Sequence, residues 1–255
     1  MRLHVQPELH DPAMILAFEG WNDAGEAASS ALRFLDEAIH SVPLAEMDPE
    51  DFYDFTVRRP HVVLGDDKDR EIAWPSNDFR YGSVDGTREV VIGIGVEPHL
   101  RWRTYSDAIV NLALDLGIQR VVLVGAYLAE VVYSQPVALT GFGSDDGTLG
   151  QLGVMESAYQ GPTGIVGVLA ERFQREGIWI TSLWAGLPHY IEATPNPRGA
   201  LALVQKLTEC LGFRVDDEPL RAQAAEFEQQ ISEVVANDTE LSDYVKRLKR
   251  REFAQ

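Results

Sequence analysis

The chain has 255 residues, 40 acidic against 22 basic for a net charge of −18, and 45% of it is hydrophobic. That fits a soluble globular protein of one large domain, or one domain with an appendage. The charge disfavours nucleic acid and anionic membrane as partners, because both are gripped by Lys and Arg neutralising phosphate. The one cysteine, Cys210, allows no intrachain disulfide and sits near Leu207 and Leu211 as a small apolar group. The opening MRLHVQPELHDP places His, Asp and Glu where a signal peptide needs an apolar core, and no apolar run is long enough to span a membrane. The expected location is the cytoplasm.

In chain order, MILAFE (14–19) is short, apolar and turn-bounded, as a buried strand is. In GWNDAGEAAS (20–29), Asp23 can cap a following helix, with Glu26 three residues on completing a capping box. Ala24, Ala27, Ala28, Ala31, Leu35 and Ile39 share one helical face, whose alanines allow close approach to a sheet. Residues 43 to 83 are less regular: FYDFTV (52–57), EIAW (71–74) and FRYGSV (79–84) read as strands between acidic or Pro-containing turns. EVVIGIG (89–95) has a central-strand pattern. A helix over 101–116 then carries Tyr105, Ala108, Ile109, Leu112 and Leu116 on one face and stops at Gly117.

The cycle repeats. RVVLVGA (120–126) is a strand, and a long loop reaches about residue 148. A helix over 163–177 is striped by Ile165, Val168, Leu169, Arg172 and Phe173, and the strand IWITSLWAG (178–186) follows. Asn196-Pro197 opens another helix, which Gly212 closes. Strands apolar throughout, alternating with covering helices, give an α/β fold: a three-layer α/β/α sandwich with a mostly parallel sheet, over residues 1–214.

Residues 215–255 form a C-terminal extension. Leu220, Phe227, Val234, Leu241 and Leu248 are seven apart, with Ala224, Ile231 and Val245 between them. Asp238 would fall in that seam, and Asn237-Asp238 is a helix-capping pair, so a hairpin of two helices with a break near 237 is expected. The basic run KRLKRR (246–251) suits a solvated helix end.

In open α/β sheets ligands bind beyond the carboxyl ends of the strands. That singles out residues 20–23, 95–103, 125–135, 161–164 and 186–189. GIGVEP (93–98) lacks the third glycine of a dinucleotide fingerprint, and GFGSDDG (141–147) carries Asp145-Asp146 where a phosphate would sit. The sequence has no P-loop lysine, H-E-x-x-H or G-x-S-x-G motif, and its six histidines have no metal-ligand spacing, so neither metal nor cofactor is implied. Asp23, Glu156 and His189 have the chemistry of acids or bases, Arg101 and Arg103 could hold an anion, and Asn196 could orient a polar group. Each also has a plainer role as a helix cap, surface group, turn residue or ion-pair partner. Trp21, Trp102, Trp184 and Tyr127 lie at or near the strand ends, where aromatics line either a ligand pocket or a subunit interface. Gly20, Trp21, Asn22, Arg101, Trp102, Arg103, Tyr127, Gly161, Thr163 and Asn196 are the ligand or interface candidates.

GWNDAGEAAS, VRRP (57–60), GVEPHLRW (95–102), VVLVGAYLAEVVYSQP (121–136), YQGPTGIVGVL (159–169), LWAGLPHYI (183–191) and PNPRGAL (195–201), in that order, resemble the proteasome assembly chaperone 2 family in its bacterial branch. The helical tail is similar to the extension on bacterial members. The resemblance implies a sandwich related to nucleoside phosphorylases and peptidyl-tRNA hydrolases, homotrimers, and eukaryotic relatives that help build the proteasome α-ring. It supplies no catalytic residue. The chaperones' hydrophobic-Tyr-X tail is not matched by Glu252-Phe253-Ala254-Gln255, which weighs against proteasome docking through the tail. Two readings stay open. One is a non-enzymatic, self-associating protein of assembly, with itself or proteasome-related proteins as partners. The other is a phosphorylase-like or hydrolase-like enzyme, or a small-ligand module, using a strand-end pocket with Asp23 and His189.

Overall fold

The computed structural model describes residues 1–65, 68–84, 88–145 and 147–252. Asp146 and residues 253–255, on which the readings of GFGSDDG and of the tail partly rest, lie outside them. The strands are β1 (Arg2–Leu3), β2 (Ala13–Glu19), β3 (Val42–Glu46), β4 (His61–Leu64), β5 (Arg70–Ala73), β6 (Asn77–Val84), β7 (Arg88–Val96), β8 (Arg120–Ala129), β9 (Leu139–Gly143), β10 (Met155–Glu156) and β11 (Trp179–Pro188). The helices are α1 (Ala27–Ala38), α2 (Trp102–Asp115), α3 (Thr148–Gln151), α4 (Ile165–Arg175), α5 (Pro197–Leu211), α6 (Glu218–Asn237) and α7 (Thr239–Glu252).

Nine strands form one sheet in the order β1-β3-β6-β7-β2-β8-β11-β9-β10, and β4 and β5 form a separate ribbon. The centre, β7-β2-β8-β11, is parallel throughout, while β6 and β9 flank it antiparallel. β2 is buried on both faces, with Ala13–Phe18 at most 2% exposed, which is why its sequence does not alternate. Ala27, Ala28 and Ala31 of α1 and Leu203 and Leu207 of α5 cover one face. Tyr105 and Ile109 of α2 and Ile165 and Leu169 of α4 cover the other. The result is the expected α/β/α sandwich.

Local expectations change in four places. FYDFTV is not a strand: the N–H groups of Phe52 and Tyr53 turn back to Pro49 O, at 3.0 and 3.2 Å, and both rings are buried. Its aromatic composition reflects burial, not strand pairing. β3, broken by an irregularity between Pro43 and Ala45, and β9 carry no strong period and were not expected. The capping box does not form. Asp23 Oδ1 instead accepts from the N–H groups of Ala28 (2.7 Å) and Ser29 (3.2 Å), across a 3-10 turn in which Gly25 and Glu26 are left-handed (φ 58 and 51). Finally, the heptad pattern slips at Val234, which is 55% exposed, while Val235 is buried at 7%. A straight helix of 3.6 residues per turn drifts off a seven-residue seam.

α6 and α7 form the expected hairpin, and Asp238 caps α7 by accepting from Leu241 N–H at 3.0 Å. Ile231, Val235, Val245 and Leu248 cluster with Val132, Tyr133, Tyr190 and Ile191 from the strand-end loops. Leu220 enters the core beneath α5. No helix among the described residues is long and apolar enough to cross a membrane.

We propose that residues 1–214 are the folding unit and residues 215–255 an extension of it. A chain cut after residue 214 keeps the circular dichroism of the sandwich and loses about 2 kcal/mol or more of unfolding free energy, because Val132 and Ile191 lose their cover. An insoluble or unfolded product would place the boundary elsewhere.

Candidate functional site

β2 and β7 are adjacent and parallel, yet β2 leads to α1 on one face and β7 to α2 on the other. Such a divergence opens a crevice at the carboxyl ends. Here the chain fills much of it. Gly20 (φ 109) starts a turn in which Asp23 N–H bonds Gly20 O at 3.1 Å. Asn22 O then accepts from Ala126 N–H at 2.8 Å, and Asp23 bridges to Ala126, which carries the β2–β8 pairing past the strand end.

Asn22 is fully buried, and its Nδ2 donates to Glu97 Oε1 at 2.7 Å. The same oxygen accepts the Ile165 N–H at 2.8 Å, so Glu97 caps α4 with a charge that suits a helix N-terminus. Gly164 leaves room for this: a Cβ there would lie 2.2 Å from Asn22 Oδ1. Burial pushes the Asp23 carboxyl above its ordinary range, and its hydrogen bonds with Ser29 and Ala28 oppose that only in part. Asn22 Oδ1 and Asp23 Oδ2 have no partner among the described residues.

Beyond β8 and β11, the loops and α6 close the crevice. Tyr190 Oη donates to Val131 O and accepts from Tyr133 N–H, both at 3.0 Å. The remaining space, lined by Val132, Pro188, Ile191, Asn196, Phe227 and Ile231 among others, is about 20 Å³, room for about one water.

The structure does not join Asp23 to His189. Asp23 serves α1, whereas exposed His189 sits with Nδ1 3.2 Å from Ala129 O and Nε2 3.4 Å from Tyr244 Oη on α7. Glu156 lies exposed on β10, at the far edge of the sheet. Arg101 (φ 54) ion-pairs with Asp51 at 2.5 Å, Arg103 is exposed, and Trp102 Nε1 donates to Pro98 O at 2.6 Å. Gly161 and Thr163 lie on the exposed loop before α4. Buried Asn196 caps α5 by accepting from Gly199 N–H at 3.0 Å. Trp21 and Tyr127, with Leu100 and Leu128, stand exposed at the ends of β2, β7 and β8.

Glu97 escaped the sequence reading, although an acidic residue directly after a continuous apolar strand marks it. A buried tyrosine network also escaped. Tyr105 Oη donates to Asn77 Oδ1 at 2.6 Å, Asn77 donates to Tyr53 Oη, and Tyr53 donates to Val96 O at 2.5 Å. Burial pushes Tyr53 up to about 12 and Tyr105 well above its ordinary value. The only signal was Gly95, where a Cβ would fall 1.5 Å from Asn77 Oδ1. No group of three His, Cys, Asp or Glu among the described residues could hold a metal ion.

The PAC2 family model matches residues 17–235. Among solved structures, the chain is similar to a PAC2 family protein from Streptomyces avermitilis, with 38% identity and a TM-score of 0.85 over 92% of this chain and 100% of that one. It is equally similar to a proteasome-assembly chaperone homologue from Mycobacterium tuberculosis, with 38% identity and a TM-score of 0.84 over 91% of this chain and 99% of that one. An archaeal proteasome activator from Pyrococcus furiosus shares the fold at 17% identity, with a TM-score of 0.71 over 91% and 96% of the two chains. No curated protein matches the sequence.

Because burial raises the folded Asp23 carboxyl, the native state keeps this proton to higher pH than the unfolded chain does. Its favourable contribution is complete in acid and is lost as pH rises from the unfolded value through the folded one. Asp23→Asn removes that loss, so the variant gains stability relative to wild type over the range upward from the unfolded carboxyl value of about 4, and the gain levels off above the raised folded value. Denaturant titrations across that range check this; a pH-independent difference contradicts it.

Proposed function

This chain belongs to the PAC2 family, and we propose that it works by binding protein, as a self-associating, non-catalytic component of protein assembly in the cytoplasm. The observation that carries this reading is that the part of the strand-end crevice beyond β8 and β11 is closed. Phe227 and Ile231 of α6 stand where an α/β enzyme of this topology would take substrate beyond β8 and β11. General acid–base chemistry needs a side chain that a substrate can reach, and Asp23 is buried with Oδ1 bound to the start of α1, while His189 stands apart from it beside Tyr244 of α7.

Apolar surface faces outward instead. Trp21 is 60% exposed and Leu128 58% at the strand-end rim, and Leu64 is 69% exposed on the β4–β5 ribbon. Exposed apolar patches of this kind mark protein contacts. The assembly we propose is a homotrimer. The likeness to a mycobacterial proteasome-assembly chaperone homologue makes proteasome subunits the first other partners to test.

Light scattering behind gel filtration at micromolar concentration gives one discrete species with the mass of three chains; a clean monomer contradicts self-association. Nucleosides with phosphate, and small esters and amides, show no turnover above the protein-free rate. Turnover that falls in Asp23→Ala or His189→Ala would establish the enzyme reading instead.

A further inference from the structure

On the α1 side of the β2–β7 divergence, the strand-end crevice stays open. A groove of about 330 Å³ lies there, within the size range of small-molecule sites. The ends of β2 and β7 reach it through Glu19 and Val96, and the ribbon borders it through His61 and Ala73. In a chain of net charge −18, four guanidiniums from three separate segments face this one space: Arg33, Arg58, Arg59 and Arg80.

The carboxylates in the same wall hold three of these arginines in place. Glu19 takes Arg33 on one oxygen and Arg58, at 2.6 Å, on the other. Arg80 Nε meets Asp36 Oδ1 at 2.9 Å, and its Nη2 donates to Ser41 O at 2.6 Å. The third carboxylate, Asp78, accepts from Ser76 Oγ at 2.8 Å. Arg59 has no hydrogen bond or ion pair among the described residues, so its fork of donors is uncommitted. Trp74, fixed edge-to-face against Phe55 at 4.8 Å, supplies an apolar wall.

We propose that this groove binds a phosphate-bearing small molecule, with Arg59 as its principal donor, Arg58 beside it and Trp74 against the non-phosphate part. A guanidinium matches phosphate through two parallel N–H bonds, and arginines already oriented by Glu19 and Asp36 lose little freedom when a ligand arrives. Topology and charge select the place independently: the open side of a strand divergence, and the concentration of cations in an acidic chain. The site does not depend on self-association.

Calorimetric titration of the full chain with pyrophosphate, at constant ionic strength, tests it. Wild type shows saturable binding of one ligand per chain. Arg59→Ala, at an exposed position, stays folded by circular dichroism and binds at least roughly ten-fold more weakly; Arg58→Ala behaves likewise, and Arg175→Ala, on α4 and outside the groove, binds as wild type does. The proposal is overturned by no saturable heat, by unchanged affinity in Arg59→Ala, or by citrate binding as tightly as pyrophosphate, which would make the groove a general anion trap.

Discussion

Two carboxylates and one amide at the ends of β2 and β7 fix where four elements of the sandwich meet. Asp23 holds the start of α1, Glu97 holds the start of α4, and Asn22 ties Glu97 to the turn that continues onto β8. Buried polar groups are costly unless paired, and here the orphan N–H groups of helix ends supply most of the partners. Close approach follows from the same constraint. Gly164 must lack a side chain beside Asn22, and a Cβ on Gly25 would lie 3.0 Å from Asn196 Cβ at the start of α5. The glycines around this turn let helices and strands touch.

With the turn committed to structure, the carboxyl edge of the sheet divides in two. Beyond β8 and β11, the C-terminal hairpin seals it through Phe227, Ile231, Val235 and Leu248. The exposed pair of Arg251 with Glu130, at 3.0 Å, adds little to that seal compared with the apolar burial. Beside β2 and β7, on the α1 side, it stays open and cationic. The rim and the β4–β5 ribbon are among the surfaces that remain exposed and apolar. All eight ribbon residues are exposed, and a lone two-stranded ribbon is marginally stable in water. A second polypeptide against it would supply the missing cover.

The layers were readable from the sequence because they follow from strong, local patterns. Continuous apolar runs mark β2, β7, β8 and β11, and helical stripes ending at Gly117, Gly177 and Gly212 mark α2, α4 and α5, with all three glycines at positive φ. The pattern failed where burial and pairing part company. Phe52 and Tyr53 are core side chains on a turn, and β3 is a strand whose proline obscures its period. At the site, Asp23 and Asn196 read correctly as caps, but Glu97 and Asn77 act across 68 and 28 residues of chain, on Ile165 and Tyr105. Such partners carry no local spacing. The same holds for the arginine groove, whose members come together only when α1, the 58–61 segment and β6 are side by side.

If this protein is built to meet polypeptide, its ribbon is free only while the chain is alone. Hydrogen–deuterium exchange at residues 61–64 and 70–73, followed from nanomolar to high micromolar concentration, reports that directly. Protection that rises with concentration at these amides, while the β2 amides stay protected throughout, is the expected result. Ribbon amides that exchange equally fast at every concentration would contradict it.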